Sequence, residues 1–579
     1  MTASTHWLAS ATGQSVLERG GNAFDAAVAA AFVLHVVEPH LNGPGGDVTA
    51  VFATAADPRP VVLDGQGPAP RRATIEHYRG EGLDSVPGAG GLAAAVPGAV
   101  DAWLLLLREH GTWEVADVVA PAIGYARDGH PVVGRVGTTV ASVAALFTEH
   151  WPTSAALWMP HGRPPRAGEL VRNPAWARTL ERLVAAGDDA GDRVARIEAF
   201  RREWRTGVAR EAVEFLRAPH RHSSGTDHAA VLDADDWAGF SASFQPAWSV
   251  EFRGTTVAKT GPFGQGPVLL QALRILDGFD DADLDPSTAR GAHVVLEALK
   301  LALADRDAHY GSRADEDVLR VLLSEEYAAQ RRALIGEDAS HEFRPGRVGG
   351  AEPFVPPLRT EAPAALGVGE PTVGEPTVEA SGTTRGDTCH VDVVDRWGNV
   401  VSATPSGGWL QSSPVVPSLG FCLGSRLQMT WLDETSPSAL RPGERPRTTL
   451  TPTLLLRDGE PVEALGSPGG DQQDQWQLLY LLRRLVGGYE PQQAIDAPAL
   501  HTTSMPGSFW PRTWTPGGAV VEDRLGEDVI ADLERRGHRV TRAGDWTLGR
   551  LSCAGRDPAT GVLHAAANPR GAQGYAVGR

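Results

Sequence analysis

Thr388 is the residue of this chain best placed to do chemistry. It heads the run Thr388-Cys389-His390-Val391-Asp392-Val393-Val394-Asp395, which alternates like a buried strand. The chain then turns at Arg396-Trp397-Gly398-Asn399 and returns as Val400-Val401-Ser402-Ala403-Thr404. Upstream, Gly367 to Gly382 is rich in Gly, Pro, Glu and Thr, and Gly-Glu-Pro-Thr-Val occurs twice in succession at 369–373 and 374–378. Such a composition buries too little apolar surface to order itself, so it reads as a tether. A hydroxyl at the head of a core strand, behind a tether, makes chemical sense if the chain is cut between Asp387 and Thr388. The freed α-amino group, with an ordinary pKa of about 7.7–8.0, then acts as base for its own side chain.

Two more features serve that chemistry. Ser406 ends the return strand, where its hydroxyl can hydrogen-bond Thr388 across the ladder. Gly466-Ser467-Pro468-Gly469-Gly470 is a loop whose N–H groups at Gly469 and Gly470 can face a developing oxyanion, with no Cβ to block close approach. Preorganised donors of this kind contribute about 3–4 kcal/mol each in a transition state. Taken singly these are a strand Thr, a turn Ser and a glycine turn; their combination is what points to a nucleophilic hydrolase. Elsewhere, His220, His222, Asp227 and His228 crowd together with Gly, Ser and Pro, which reads as a solvated loop rather than a metal site. Cys389, Cys422 and Cys553 fit neither a disulfide framework nor a zinc pattern. The expectation is an enzyme with no metal and no cofactor.

The elements that must hold these groups are legible in part. With 42% apolar residues and 66 glycines, the 579-residue chain reads as an α+β globule. Its net charge of −18 argues against nucleic acid or an anionic membrane as partner. No run approaches a membrane span, and Met1 to Trp7 shows no secretory signal, so the chain reads as cytoplasmic. The hydrophobic pattern predicts helices over 8–37 (broken at Gly20-Gly21-Asn22), 100–108, 115–127, 292–310, 475–486 and 529–536. It predicts strands over 48–54, 60–64, 248–252, 255–259, 388–395, 400–405, 419–423, 453–456 and 462–465. A flexible linker is expected over about 344–385.

Thr388-Cys389-His390, with Val393-Val394-Asp395 and Gly398-Asn399, resembles the start of the small subunit in the γ-glutamyltransferase family. Gly20-Gly21-Asn22-Ala23, Asp25-Ala26-Ala27-Val28-Ala29, Val96-Pro97-Gly98, Ala126-Arg127-Asp128-Gly129, Glu297-Ala298, Lys300, Ala304-Asp305-Arg306 and the Gly466–Gly470 loop extend the resemblance along nearly the whole chain. It is weakest over 150–230. The resemblance implies a four-layer αββα sandwich of the N-terminal-nucleophile hydrolase type, built from both subunits of a self-cleaved precursor. Residues 1–387 would form the large subunit and 388–579 the small one, either as one heterodimer or as a dimer of heterodimers. It also implies an acyl-enzyme on Thr388, a supporting hydroxyl at Ser406 and an oxyanion hole at Gly469 and Gly470.

The small-molecule substrate pocket departs from the family pattern. Gln66 stands where the transferases use an Arg to grip the substrate α-carboxylate. In the resemblance, Gln428 keeps its place, but Trp431 replaces the Asp that holds the α-ammonium, and Gly408 replaces an Asn with the same task. Thr448 and Thr449 replace paired serines and keep their hydroxyls. Two readings of the substrate follow. One is a γ-glutamyl compound anchored elsewhere, by Arg426 or Arg447. The other is a non-glutamyl amide, or a C–C bond broken by the same nucleophile. An unprocessed, non-catalytic binding protein is the remaining alternative.

Overall fold

The computed structural model describes residues 1–314, 316–361, 388–570 and 574–578, and two antiparallel sheets dominate it. The first has seven strands in the order Tyr575–Val577, Thr2–Ser4, Val391–Val394, Val400–Ser406, Asp47–Thr54, Asp57–Gly65 and Ser243–Pro246. The second has six, in the order Leu563–Ala567, Ser552–Arg556, Glu460–Gly466, Thr453–Arg457, Thr255–Lys259 and Trp248–Phe252. Each sheet draws strands from both sides of Thr388, so a cut there would leave two chains still interleaved.

The period-2 pattern of the nucleophile hairpin sorts its side chains between two cores. Val394 and Val400 join Val51, Val62, Ala258, Leu454, Leu456, Ala464 and Ala554 in an apolar cluster shared by the two sheets. Val391, Val393, Val401 and Ala403 turn the other way, onto helix Ala23–Val37, against which Ala99–His110 and Val115–Asp128 pack in the same core. Gly266–Leu276 and Gln473–Leu485 pack on the second sheet, and Ala289–His309 packs on Gly266–Leu276. At roughly 1.5–3 kcal/mol per fully buried large aliphatic side chain, these clusters are what hold the hairpin in place.

The helix Ala23–Val37 is buried at every position, as its all-round apolar sequence requires. Asn22 starts it with a capping box: its side chain accepts from Phe24 N at 2.9 Å and Asp25 N at 3.0 Å, and Asp25 Oδ2 accepts from Asn22 N at 3.0 Å. The expected break at Gly20-Gly21-Asn22 thus separates two helices, Trp7–Glu18 and Ala23–Val37, and this cap opens the second. The expected strand over 419–423 does not form. Gly420, at φ +78°, turns the chain back so that its N–H meets Val416 O at 2.8 Å, leaving only isolated bridges such as Gly45 with Leu423. Helix Gly266–Leu276, opened by Pro267 in its first turn, was not expected from the sequence pattern.

The first part of the expected linker has neither helix nor strand up to residue 361 but is tied down, with Gly346 N donating to Asp305 Oδ1 at 2.6 Å and Trp514 N to Arg359 O at 2.7 Å. The repeated pentapeptide and Asp387 lie outside the described residues. No helix among the described residues is long and apolar enough to cross a membrane.

Candidate active site

Thr388 is 1% exposed and forms an antiparallel bridge with Ser406, and its Oγ1 donates to Ser406 Oγ at 3.3 Å. Cys389 N donates to Pro405 O at 3.0 Å, which continues the ladder. Next to Thr388, around Cys389, the side chains form a polar net. Thr5 Oγ1 at 2.5 Å and Cys389 Sγ at 3.0 Å both donate to Glu38 Oε2, and Asn42 Nδ2 donates to Cys389 Sγ at 3.1 Å. Burial pushes the Glu38 carboxyl up to about 7 despite those bonds. His390 is buried between Thr404 Oγ1 at 2.9 Å and Asp392 Oδ1 at 2.8 Å.

The turn 43–46 lies against the end of the strand that carries Ser406. A Cβ on Gly46 would fall 2.1 Å from Ser406 O, and one on Gly45 2.1 Å from Cys422 O, so only glycine allows this approach. Asp47 pairs directly with Ser406 and is gripped by Arg426 at 2.7 and 2.8 Å. Gly45, Gly46, Gly67, Gly407, Gly424 and Arg426 help line a cavity of about 10 Å³ at this point.

The glycine loop begins against the nucleophile strand. A Cβ on Gly466 would lie 2.2 Å from the His390 ring, two residues beyond Thr388. Gly469 adopts φ +136°, and a Cβ there would sit 2.5 Å from the Trp476 ring. With the Gln473 amide turned so that its nitrogen donates to Ser467 O at 3.0 Å, its oxygen accepts the Gly470 N–H at 3.3 Å. Asp471 follows directly. It accepts from Ser508 N at 2.8 Å and Ser508 Oγ at 2.5 Å, and it pairs with Arg306, which also reaches Asp307 at 3.1 Å. Burial works against the Asp471 charge, but Arg306 and Arg447 outweigh it and hold the carboxyl below its ordinary value.

The residues expected to bind substrate fall into two groups. Gln66 and Gln428 serve the fold through their amides. Gln66 Nε2 donates to Pro446 O, leaving Oε1 without a partner. Gln428 donates to Ser425 Oγ at 2.9 Å and accepts from Trp510 N at 3.1 Å. Gly408, at φ +65°, packs against Gly46, where a Cβ would fall 2.8 Å from the Gly46 nitrogen. The second group gathers around Arg447. Thr448 N donates to Phe263 O at 2.9 Å, and Thr449 Oγ1 is buried without a partner. Arg447 donates to Ser508 Oγ at 2.8 Å, and Arg512 lies 3.9 Å above the Trp431 ring. Burial first, then the charge of Arg306, lowers Arg447 to about 10; burial and the charge of Arg447 lower Arg512 to about 9.

Arg512 and Ser508 were not singled out in the sequence. The available signal was a lone arginine in an aromatic, proline-containing stretch, Phe509-Trp510-Pro511-Arg512. The histidine-rich stretch is a correction: it forms the hairpin His220–Arg221 with Asp227–His228 rather than a solvated loop. His222 and His228 are buried, and their rings are used by Leu92 N at 2.8 Å and Glu81 Oε2 at 2.7 Å. A separate groove of about 930 Å³, lined in part by Phe263, Gly443 and Arg445, includes neither Thr388 nor Ser406 in its lining.

A family model described as Gamma-glutamyltranspeptidase matches residues 9–578. The Glutathione hydrolase-like YwrD proenzyme of Bacillus subtilis (strain 168) is 31% identical over 595 residues, covering 100% of this chain and 98% of that protein. The Oxamate amidohydrolase proenzyme of Klebsiella pneumoniae subsp. pneumoniae is 31% identical over 596 residues, with the same coverage. The solved structure of LmbA2991HD is similar with a TM-score of 0.94 at 54% identity, covering 100% of this chain and 98% of that one.

Proposed function

The chain belongs to the gamma-glutamyltranspeptidase family of enzymes, and from that premise we propose that it is a proenzyme that cuts itself before Thr388 and then cleaves an amide through an acyl-enzyme on that hydroxyl. The observation that carries this reading is the Thr388 hydroxyl bonded to Ser406 just ahead of an interior strand of the seven-stranded sheet. Two face-packed sheets with helices on both outer sides support the four-layer αββα reading.

In maturation, Thr388 Oγ attacks the Asp387 carbonyl carbon and the peptide nitrogen leaves, giving an ester. Water then hydrolyses the ester, freeing the Asp387 carboxylate and the Thr388 hydroxyl, beside the α-amine already released in the first step. In turnover the α-amine takes the Oγ proton as Oγ adds to the substrate carbonyl. The N–H groups of Gly469 and Gly470 receive the oxyanion, which requires Gly470 to release Gln473. The leaving amine takes the proton from the α-ammonium. Water, or an acceptor amine, resolves the ester.

The large and small subunits from one precursor are the expected partners, and a cytoplasmic enzyme of this kind is part of the same proposal. The neutral residues at Gln66, Gly408 and Trp431 favour a non-glutamyl acyl group, and the relation to an oxamate amidohydrolase supports that direction. The same nucleophile and donors serve C–C hydrolysis when the leaving carbanion is stabilised.

The test is a denaturing gel of purified protein with N-terminal sequencing of the products. Two chains, the smaller beginning at Thr388, are expected, and Thr388→Ala is expected to stay uncut. A single full-length band after long incubation of the unaltered protein would overturn the proposal.

A further inference from the structure

Beyond the glycine loop, four buried guanidiniums meet three carboxylates among the described residues. Arg426 takes Asp47 at two points, and Arg306 takes both Asp471 and Asp307. Arg447, 4% exposed, is left with Ser508 Oγ and with Asp307 only at 3.7 Å, and its Nη1 has no hydrogen-bond partner. Arg512 is left with the carbonyls of Gln428 and Thr430 and the Trp431 ring. Burying a charge without a matching counter-charge is costly. The arrangement is accounted for if an anion completes it when substrate is present. Two residues along the chain from Arg447, the fully buried Thr449 carries an unpartnered hydroxyl able to donate to an anion.

This cluster is joined to the chemistry by short covalent and hydrogen-bonded steps. Gly470, a proposed oxyanion donor, precedes Asp471; Asp471 accepts from Ser508, and Ser508 Oγ accepts from Arg447. At its other end the loop lies against His390, and the five residue steps from Gly466 to Asp471 span at most about 18 Å.

We propose that Arg447, supported by Thr449 and Arg512, binds a carboxylate on the acyl half of the substrate, so that the substrate is an acidic amide without an α-ammonium. Each acid in the cluster is already held by an arginine, and Arg512 covers the Trp431 face on which an ammonium would otherwise rest. The inference rests on the amidohydrolase reading of Thr388.

The experiment measures calorimetric binding and ammonia release on the self-processed protein. The probes are three acidic monoamides (oxamate, succinamate and glutaramate), with L-glutamine as the ammonium-bearing form of glutaramate and butyramide as the form without a carboxylate. At least one acidic monoamide is expected to bind tenfold or more tighter than butyramide, and glutaramate to bind tighter than L-glutamine. Arg447→Met is expected to lose that advantage at least tenfold. Equal binding of butyramide, preference for L-glutamine, or undiminished affinity in Arg447→Met would each overturn the proposal. If Arg447→Met fails to process itself, Thr449→Val and the comparison of ligands on the unaltered protein decide. Failure with intact two-chain protein refutes only the carboxylate anchor, whereas failure to cleave at all refutes the underlying amidohydrolase.

Discussion

The Thr388 hydroxyl meets the Ser406 hydroxyl at 3.3 Å across the open end of one hairpin, and Ser406 in turn pairs with Asp47 on the next strand. The proposed nucleophile is thus aligned by sheet register rather than by a loop. Ser406→Ala keeps that register but removes the acceptor. It is expected to slow both self-cleavage and turnover by tenfold or more, about 1.4 kcal/mol of barrier per factor of ten, with Ser406→Thr restoring most of the rate. Time courses on gels and steady-state kinetics measure it; unchanged rates would refute the supporting role.

Gly469→Ala is expected to disable the oxyanion loop. Its Cβ would lie 2.5 Å from the Trp476 ring, and φ +136° is a region costing roughly 1–3 kcal/mol for a residue with a side chain. Urea unfolding is expected to show that loss of stability, and acyl-enzyme formation to fall further than stability does.

Glu38 makes stability depend on pH. Its folded pKa is raised from 4.5 to about 7 by burial, with the charges of Arg135 and Arg550 and the bonds from Thr5 and Cys389 opposing the shift. The folded state therefore holds a proton that the unfolded state has lost. This contribution is fully present below about pH 4.5 and is lost as pH rises through about 7, up to about 3 kcal/mol for such a shift. Glu38→Gln, which cannot ionise, is expected to be more stable than the unaltered protein at pH 8 and to lose that advantage at pH 5. Urea titrations at the two values check the sign.

Asp471→Asn is expected to be strongly destabilising, by about 3–5 kcal/mol, because it leaves Arg306 and Arg447 buried with one fewer counter-charge. The Gly469–Gly470 donors should lose their anchor at the same time. A large fall in urea midpoint together with weak processing is the expected result.

His293, Glu297 and His538 lie close enough to suggest a metal site, yet their hydrogen bonds close without an ion. Lys300 Nζ bonds Glu297 at 2.6 Å and lies 3.5 Å from His538 Nδ1; His538 Nε2 meets His293 Nδ1 at 3.0 Å, and His293 Nε2 meets Gly336 O at 3.0 Å. A buried ammonium beside the cluster also repels cations. Chelator treatment is expected to change neither melting temperature nor activity; a drop in either would indicate a bound metal.

The strands 248–252 and 255–259 and the helix Ala23–Val37 were legible because alternation, all-round apolarity and a Gly-Gly-Asn break are local signals. The expected strand over 419–423 failed because a single positive-φ glycine decides that turn. Among site residues, Thr388 and Ser406 were legible from one hairpin, since the ladder brings them together whatever else the chain does. Gln66 and Gln428 stood out by sequence position, yet in the structure their amide nitrogens serve main-chain and serine acceptors.

The sequence by itself determined the pairing of Thr388 with Ser406 across the hairpin, the candidate nucleophile and the family of the chain, because those rest on short patterns along the chain. Only the tertiary structure decided which charges are left over. Arg306, Arg426, Arg447 and Arg512 look alike in a linear string. What separates them is which found a carboxylate once buried, and that depends on contacts among strands and loops hundreds of residues apart, such as Asp47 with Arg426 and Asp471 with Arg306.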